Sequence, residues 1–512
     1  MSACFVFDPV AWEHPLARWT LETLAAVTEL RWRAAPVGER VGEAEAPVFV
    51  GPEPLAPADE AAVIAFEHWP EWDPDTLMLA DVAGVPLPCP RGMLQRPAPA
   101  APVPLGLGAA GPGIAAGPAG AALVPRVFPP EWLRAVGFML AREEEFLSDR
   151  RDEWECFKGT YSRLHELGVL DEPLVNRCAR QLERRVLAWH EARGRTAERV
   201  PRWKRGARFA VALTHDVDDV ARYSLRGALR LLRRAERPTA YAVRGGLTAV
   251  TRALGRAGRR DPYDQFDRWV TEEEQRGFRS SFYFVPPDAS RAHEYDPTYA
   301  WSDPVTFEGR RTTVGAMLRR LLARGFEVGL HGSYMSHRDA DEIQRQKRSV
   351  ERAAEHEVAG GRQHFLRFDV RATWTAQERA ALRYDSTLGY NEEIGFRAGI
   401  AAPFRPWDPE RRAARDLIEV PLTVMDGALF RSLGLDGPRA IARTREHLER
   451  VEEAGGLAVL LWHPNAAAEA LFPGWWSGFH SVLEWLASRD VWVASAAEIA
   501  EWWREREARQ RM

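Results

Sequence analysis

Cysteine is scarce in this chain: Cys4, Cys89, Cys156 and Cys178 are the only four in 512 residues, and no two form a C-x-x-C pair. A disulfide framework and a thiolate zinc site are excluded, and a reducing compartment is the natural expectation. No stretch of about 18 apolar residues of membrane character occurs. The N-terminus, Met-Ser-Ala-Cys-Phe-Val-Phe-Asp, lacks a basic segment followed by an apolar one, so no secretory signal is expected and the location reads as cytoplasmic. Lysine is nearly missing, with Lys158, Lys204 and Lys347 alone among 69 basic side chains. Against 73 acidic groups these leave a net charge of -4, which gives no global basicity for nucleic acid.

What is present is a long, 46% hydrophobic chain able to bury large cores over several domains. Residues 1–96 mix short apolar runs with a helical pattern near Leu21 to Leu30 and predict a small α/β N-terminal domain. Residues 97–125 are Pro, Ala and Gly and read as a linker or long loop. Residues 126–207 carry two helical patterns, Trp132 to Leu147 and Leu170 to Arg193, and form a helical accessory region. From Phe209 onward, short apolar runs alternate with helical stretches: Phe209 to Leu213, Ser281 to Val285, Glu327 to Leu330, Leu417 to Val420, Leu457 to Trp462 and Val491 to Val493. That alternation predicts an α/β fold with a mostly parallel sheet or barrel. In such folds chemistry gathers at the C-terminal strand ends.

The first of these strands runs into Thr214-His215-Asp216-Val217-Asp218-Asp219. Three carboxylates so close repel one another unless a cation neutralises them or one is protonated; a solvated acidic turn capping the next helix is the plain alternative. The strand Glu327 to Leu330 ends in His331-Gly332-Ser333-Tyr334-Met335-Ser336-His337. Further imidazoles follow in Arg362-Gln363-His364 and in Leu461-Trp462-His463-Pro464. If the strands are parallel, one Asp and two His can hold zinc with an open position, which lowers the pKa of a bound water toward ~7 and points to amide or ester hydrolysis.

The order of these motifs resembles the polysaccharide deacetylase superfamily, the NodB-homology fold of carbohydrate esterase family four, over residues 208–506. The resemblance implies a distorted (β/α) barrel and a divalent metal, zinc first. It implies Asp216 as general base, Asp218 and His331 as metal ligands, His463 as general acid, and Arg362 as the partner that keeps Asp216 ionised. Position 335, where the family's second motif carries its next histidine, is Met. His364 is favoured as the missing ligand, with His337 as the alternative. Tyr334, Arg367, Tyr390, Arg397 and Trp407 are expected on the substrate. The substrate expected is an acylated sugar or lipid-linked glycan; a cyclic amide and a non-catalytic glycan-binding module are the other readings.

One segment stands apart. Between Arg222 and Arg260 lie 11 arginines and a single acid, Glu236. A solvated face is its plain reading; an attraction to anionic membrane surface or phosphate-bearing glycan is the functional one.

Overall fold

The computed structural model describes residues 2–53, 61–66, 68–90, 126–222, 224, 250, 261–290 and 293–511. The stretch 97–125, and the arginine-rich segment apart from Arg222, Ser224 and Val250, lie outside them, and with that segment the expected membrane surface.

The C-terminal half is built on nine parallel strands. They are β1 (Phe209–Val217), β2 (Ser281–Phe284), β3 (Glu327–Gly332), β4 (Gly360–Gln363), β5 (Tyr384–Asp385), β6 (Ile418–Glu419), β7 (Val424–Met425), β8 (Leu457–Leu461) and β9 (Val491–Ala494). Their order is β6-β5-β4-β3-β2-β1-β8-β7, with β9 also on β1. β1 is buried along its whole length, as a central parallel strand covered on both faces must be. It is also long enough to serve two neighbours on one side in turn: β9 pairs with Phe209 to Ala212, and β2 takes over from Thr214 to Val217. This shared edge gives the curled sheet of a distorted (β/α) barrel. Amphipathic helices such as Val314–Ala323, Ala340–Ala354 and Gly437–Ala454 cover it outside.

Glycine sets one approach that matters for the site. A Cβ on Gly361 would lie 1.9 Å from the Leu330 carbonyl oxygen, so only glycine lets β4 run this close to β3. The register then puts Arg362 directly beside His331.

Ahead of the barrel, five parallel strands form a second sheet in the order Trp32–Pro36, Ser2–Phe7, Glu45–Gly51, Ala62–Ala65, Val127–Phe128. The last of these follows the Pro/Ala/Gly-rich stretch, so the chain returns to the sheet before entering the helices Pro130–Leu140 and Leu174–Glu191. Leu174, Val175, Cys178, Leu182 and Val186 form the buried face of the second helix. Its start is tied to the barrel: Asn176 bonds both the N–H and the carbonyl of Ala401, and Asp171 accepts from Arg443, Arg450 and His447. Hydrophobic side chains of both halves belong to one continuous core. All four cysteines are free and buried. Among the described residues no helix is long and apolar enough to cross a membrane.

Candidate active site

Every polar group described next stands at or just past the C-terminal end of a strand. Asp216 and Asp218 close β1, His331 closes β3, Arg362 and His364 belong to the end of β4, Asp426 follows β7 and His463 follows β8.

Asp218, His331 and His364 bring one oxygen and two nitrogens within 4.8 Å of one another. The rings are oriented from behind. His331 donates from Nδ1 to the Arg362 carbonyl at 2.9 Å, and His364 donates from Nε2 to the Tyr295 carbonyl at 2.9 Å. Carbonyls only accept, so the opposite ring nitrogens present lone pairs, and they face each other at 3.0 Å. Each lies 3.4 Å from Asp218 Oδ1, a buried oxygen reached by no hydrogen bond. Two lone pairs and a carboxylate oxygen converging on one point repel unless a proton or a metal cation sits among them. The donor set, two imidazoles and one carboxylate, fits zinc with a position left for substrate. Burial would raise the Asp218 carboxyl, but the His364, His463 and His331 imidazoles around it outweigh burial and hold it well below the usual carboxylate range.

His337, the alternative ligand, does not join this group. It is buried, its Nδ1 has no partner, and burial foremost, with the Arg367 and Arg338 guanidinium groups beside it, holds its imidazole down at about 3. His364 reaches the site because the chain turns sharply after it: Phe365 and Leu366 take φ of +59° and +49°, conformations that side chains other than glycine adopt only when held. Asn391 donates to the Phe365 carbonyl at 2.8 Å and the Cys156 thiol lies 3.5 Å from the same oxygen.

On one flank of the three donors, Asp216 Oδ1 accepts from Arg362 Nη1 at 2.8 Å while its Oδ2 lies 3.7 Å from His331 Nε2. The guanidinium also bonds Thr214 Oγ1, the Ser386 carbonyl and Ser386 Oγ. On the other flank, His463 Nε2 lies 3.6 Å from Asp218 Oδ2 and its Nδ1 is 2.7 Å from Asp426 Oδ1. Burial would lower this imidazole, yet Asp426 foremost, with Asp218 and Asp216, raises it to about 9. Asp426 is absent from the motif reading; its one sequence signal is the short apolar run Leu422 to Met425 that it ends.

Asp216, Asp218, His331, His364 and His463 line a cavity of about 420 Å³, a size suited to a small molecule. Its other walls include the Phe365 turn, Asn391, Glu392, Arg431 and, from the segment ahead of the barrel, Glu153, Trp154 and Lys158. Those from that segment carry no sequence motif. None of the five side chains expected on substrate is among the lining residues. Tyr334 is buried behind Phe365 with Arg367 stacked on its ring at 4.1 Å. Arg367 is spent on Glu155 and on the Tyr334 carbonyl. Arg397 is buried against Glu145, with Tyr390 5.2 Å from its guanidinium. Trp407 packs on Trp19 of the N-terminal domain, centroids 5.5 Å apart.

No protein-family model matches the chain, and no curated protein matches it. Solved structures of polysaccharide deacetylases and family 4 carbohydrate esterases are similar to it in fold. One assigned as a polysaccharide deacetylase from Mycobacterium smegmatis is 20% identical with a TM-score of 0.41, over 60% of this chain and 94% of that one. The allantoinase Puue is 13% identical at 0.41, over 60% and 93%. A family 4 carbohydrate esterase from Streptomyces lividans is 12% identical at 0.27, over 56% and 92%.

Proposed function

We propose that the protein is a metal-dependent hydrolase that removes an acyl group, N-acetyl in the first instance, from a sugar. The observation that supports this reading is the convergence of Asp218, His331 and His364 between a carboxylate anchored on arginine and an imidazole anchored on aspartate. A divalent cation held by the three donors, zinc by preference, supplies Lewis acidity toward an acyl carbonyl and makes water more acidic. Asp216 is the base: Arg362 occupies one of its oxygens and leaves the other toward the donors, where it accepts a proton from the attacking water. His463 is the acid: Asp426 holds its Nδ1–H, so Nε2 faces the cavity and donates a proton to the departing amine. Trp154 offers an apolar ring to a sugar face, and Lys158, Asn391 and Glu392 offer hydrogen-bonding partners to its hydroxyls.

The test is metal analysis of the purified protein joined to acetate release from a panel of N-acetylated amino sugars, with cyclic amides as a second panel. One tightly bound divalent ion per chain and acetate release that Asp216→Asn lowers by roughly 10²–10⁴-fold support the reading. Ring opening of a cyclic amide with no acetate release moves the substrate class. Sugar binding by a protein that takes up no metal overturns the enzyme.

A further inference from the structure

His215 and Glu273 are both wholly buried and neither touches the cavity. The imidazole stands among aromatic rings, 4.7 Å from Trp269 and from Phe282 and 5.8 Å from Phe479. An imidazole and a carboxyl group in such surroundings are costly to bury, and both ring nitrogens are committed. Nε2 lies 2.7 Å from Glu273 Oε1, and Nδ1 lies 2.7 Å from the Trp462 carbonyl oxygen. That carbonyl belongs to the peptide whose N–H is His463's own, and the same N–H donates to Asp426 Oδ2 at 2.8 Å. Asp426 Oδ1 then holds His463 Nδ1 at 2.7 Å. A chain of hydrogen bonds therefore runs from Glu273 through His215, across one peptide group and through Asp426 to the imidazole of His463.

We infer that His215 and Glu273 are positioning residues for His463, acting through the Trp462–His463 peptide. The inference rests on the reading of His463 as the general acid. A donor on the peptide carbonyl polarises the peptide and strengthens its N–H toward Asp426. With both carboxylate oxygens of Asp426 engaged by the same residue, the imidazole has one orientation. The helix Phe266–Glu274 that carries Glu273 also sends Trp269 Nε1 to the Pro464 carbonyl at 2.9 Å, so a single helix acts on the backbone on both sides of His463, directly at Pro464 and through His215 at Trp462. Since His215 directly precedes Asp216, the same imidazole links the strand end that carries the base to the one that carries the acid.

Two substitutions separate positioning from mere packing. His215→Phe keeps an aromatic ring in an aromatic setting and removes the donor, whereas His215→Asn keeps an N–H near the place of Nδ1. The expected result for His215→Phe is a kcat on acetylated substrate lowered roughly 10–100-fold, the range for groups that orient a catalytic side chain, with KM and metal content unchanged. His215→Asn recovers most of that loss. Equal activity of His215→Phe and wild type, or no recovery in His215→Asn, overturns the inference. If His215→Phe does not fold, Glu273→Gln takes its place, with a loss in kcat at constant KM expected and an unaltered kcat overturning it. Proton NMR of His463 Nδ1–H in the metal-free protein gives a readout independent of turnover: the resonance moves in Glu273→Gln, and a stationary one overturns the inference. Absence of hydrolysis by the wild-type protein overturns the hydrolase reading, and the resonance then decides the relay by itself.

Discussion

Replacing Asp426 by Asn changes the fewest atoms and reverses the most chemistry. Both carboxylate oxygens accept: Oδ1 from His463 Nδ1 at 2.7 Å and from the Gly427 N–H at 2.6 Å, Oδ2 from the His463 N–H at 2.8 Å. An amide accepts at one end only, so its NH₂ must meet a donor. Either orientation of the amide sets its NH₂ against a backbone N–H, that of His463 if the carbonyl takes the place of Oδ1 and that of Gly427 if it takes the place of Oδ2, and neither supplies a negative charge. His463 then loses the anion that holds its second proton, which leaves a neutral imidazole as a poor acid. The whole contribution of general acid catalysis is then at stake, roughly 10²–10⁴-fold in kcat. An amide leaving group needs that proton and an activated aryl ester does not. The expected outcome is a loss of this size on N-acetyl sugar and less than tenfold on aryl acetate. Equal losses on both substrates, with metal content intact, would refute the role given to Asp426 and His463. In the metal-free protein an NMR titration of His463 should centre near 9, where Asp426 foremost raises it against burial, and should fall toward the ordinary histidine value in Asp426→Asn.

Three further outcomes are expected. His364→Ala should abolish stoichiometric metal uptake and His337→Ala should leave it unchanged, read by equilibrium dialysis; the reverse pattern would restore His337 as the ligand. Glu145 lies between the Arg397 and Arg142 guanidinium groups, which outweigh its burial and depress its carboxyl to about 2. Because the folded value lies below the ordinary 4.5, the stability it contributes is present above pH 4.5 and drains away as pH falls toward 2. Denaturation midpoints measured across this window should fall less steeply in Glu145→Gln than in wild type, and Glu145→Ala should cost about 3–5 kcal/mol at neutral pH by leaving two buried cations without their shared anion.

The six strands readable in the sequence are those with apolar runs, and each forms. The three that escaped are short or atypical: β4 is Gly-Gly-Arg-Gln, and β5 and β7 have two residues each. Their order in the sheet comes from tertiary packing, which a periodic pattern does not record. Asp216, Asp218, His331 and His463 stand out because they follow strong strands directly. His364 follows a strand without apolar character, and its approach to Asp218 depends on a left-handed turn at Phe365 and Leu366. Asp426 sits 37 positions from the imidazole it holds, so no local spacing reveals it. The aromatic and arginine side chains expected on substrate are candidates by residue type alone, and partners from the segment ahead of the barrel, Glu145 and Glu155, engage Arg397 and Arg367.

The segment that carries Trp154, Cys156 and Lys158 makes the site non-portable. It walls the cavity and also touches the Phe365 turn that aims His364, so a fragment beginning at Phe209 would keep every motif residue and lose the backing for one of the three proposed metal ligands. In the proposed hydrolase, substrate preference can therefore drift through substitutions more than fifty positions upstream of the barrel, while the residues proposed as acid, base and metal donors stay as they are.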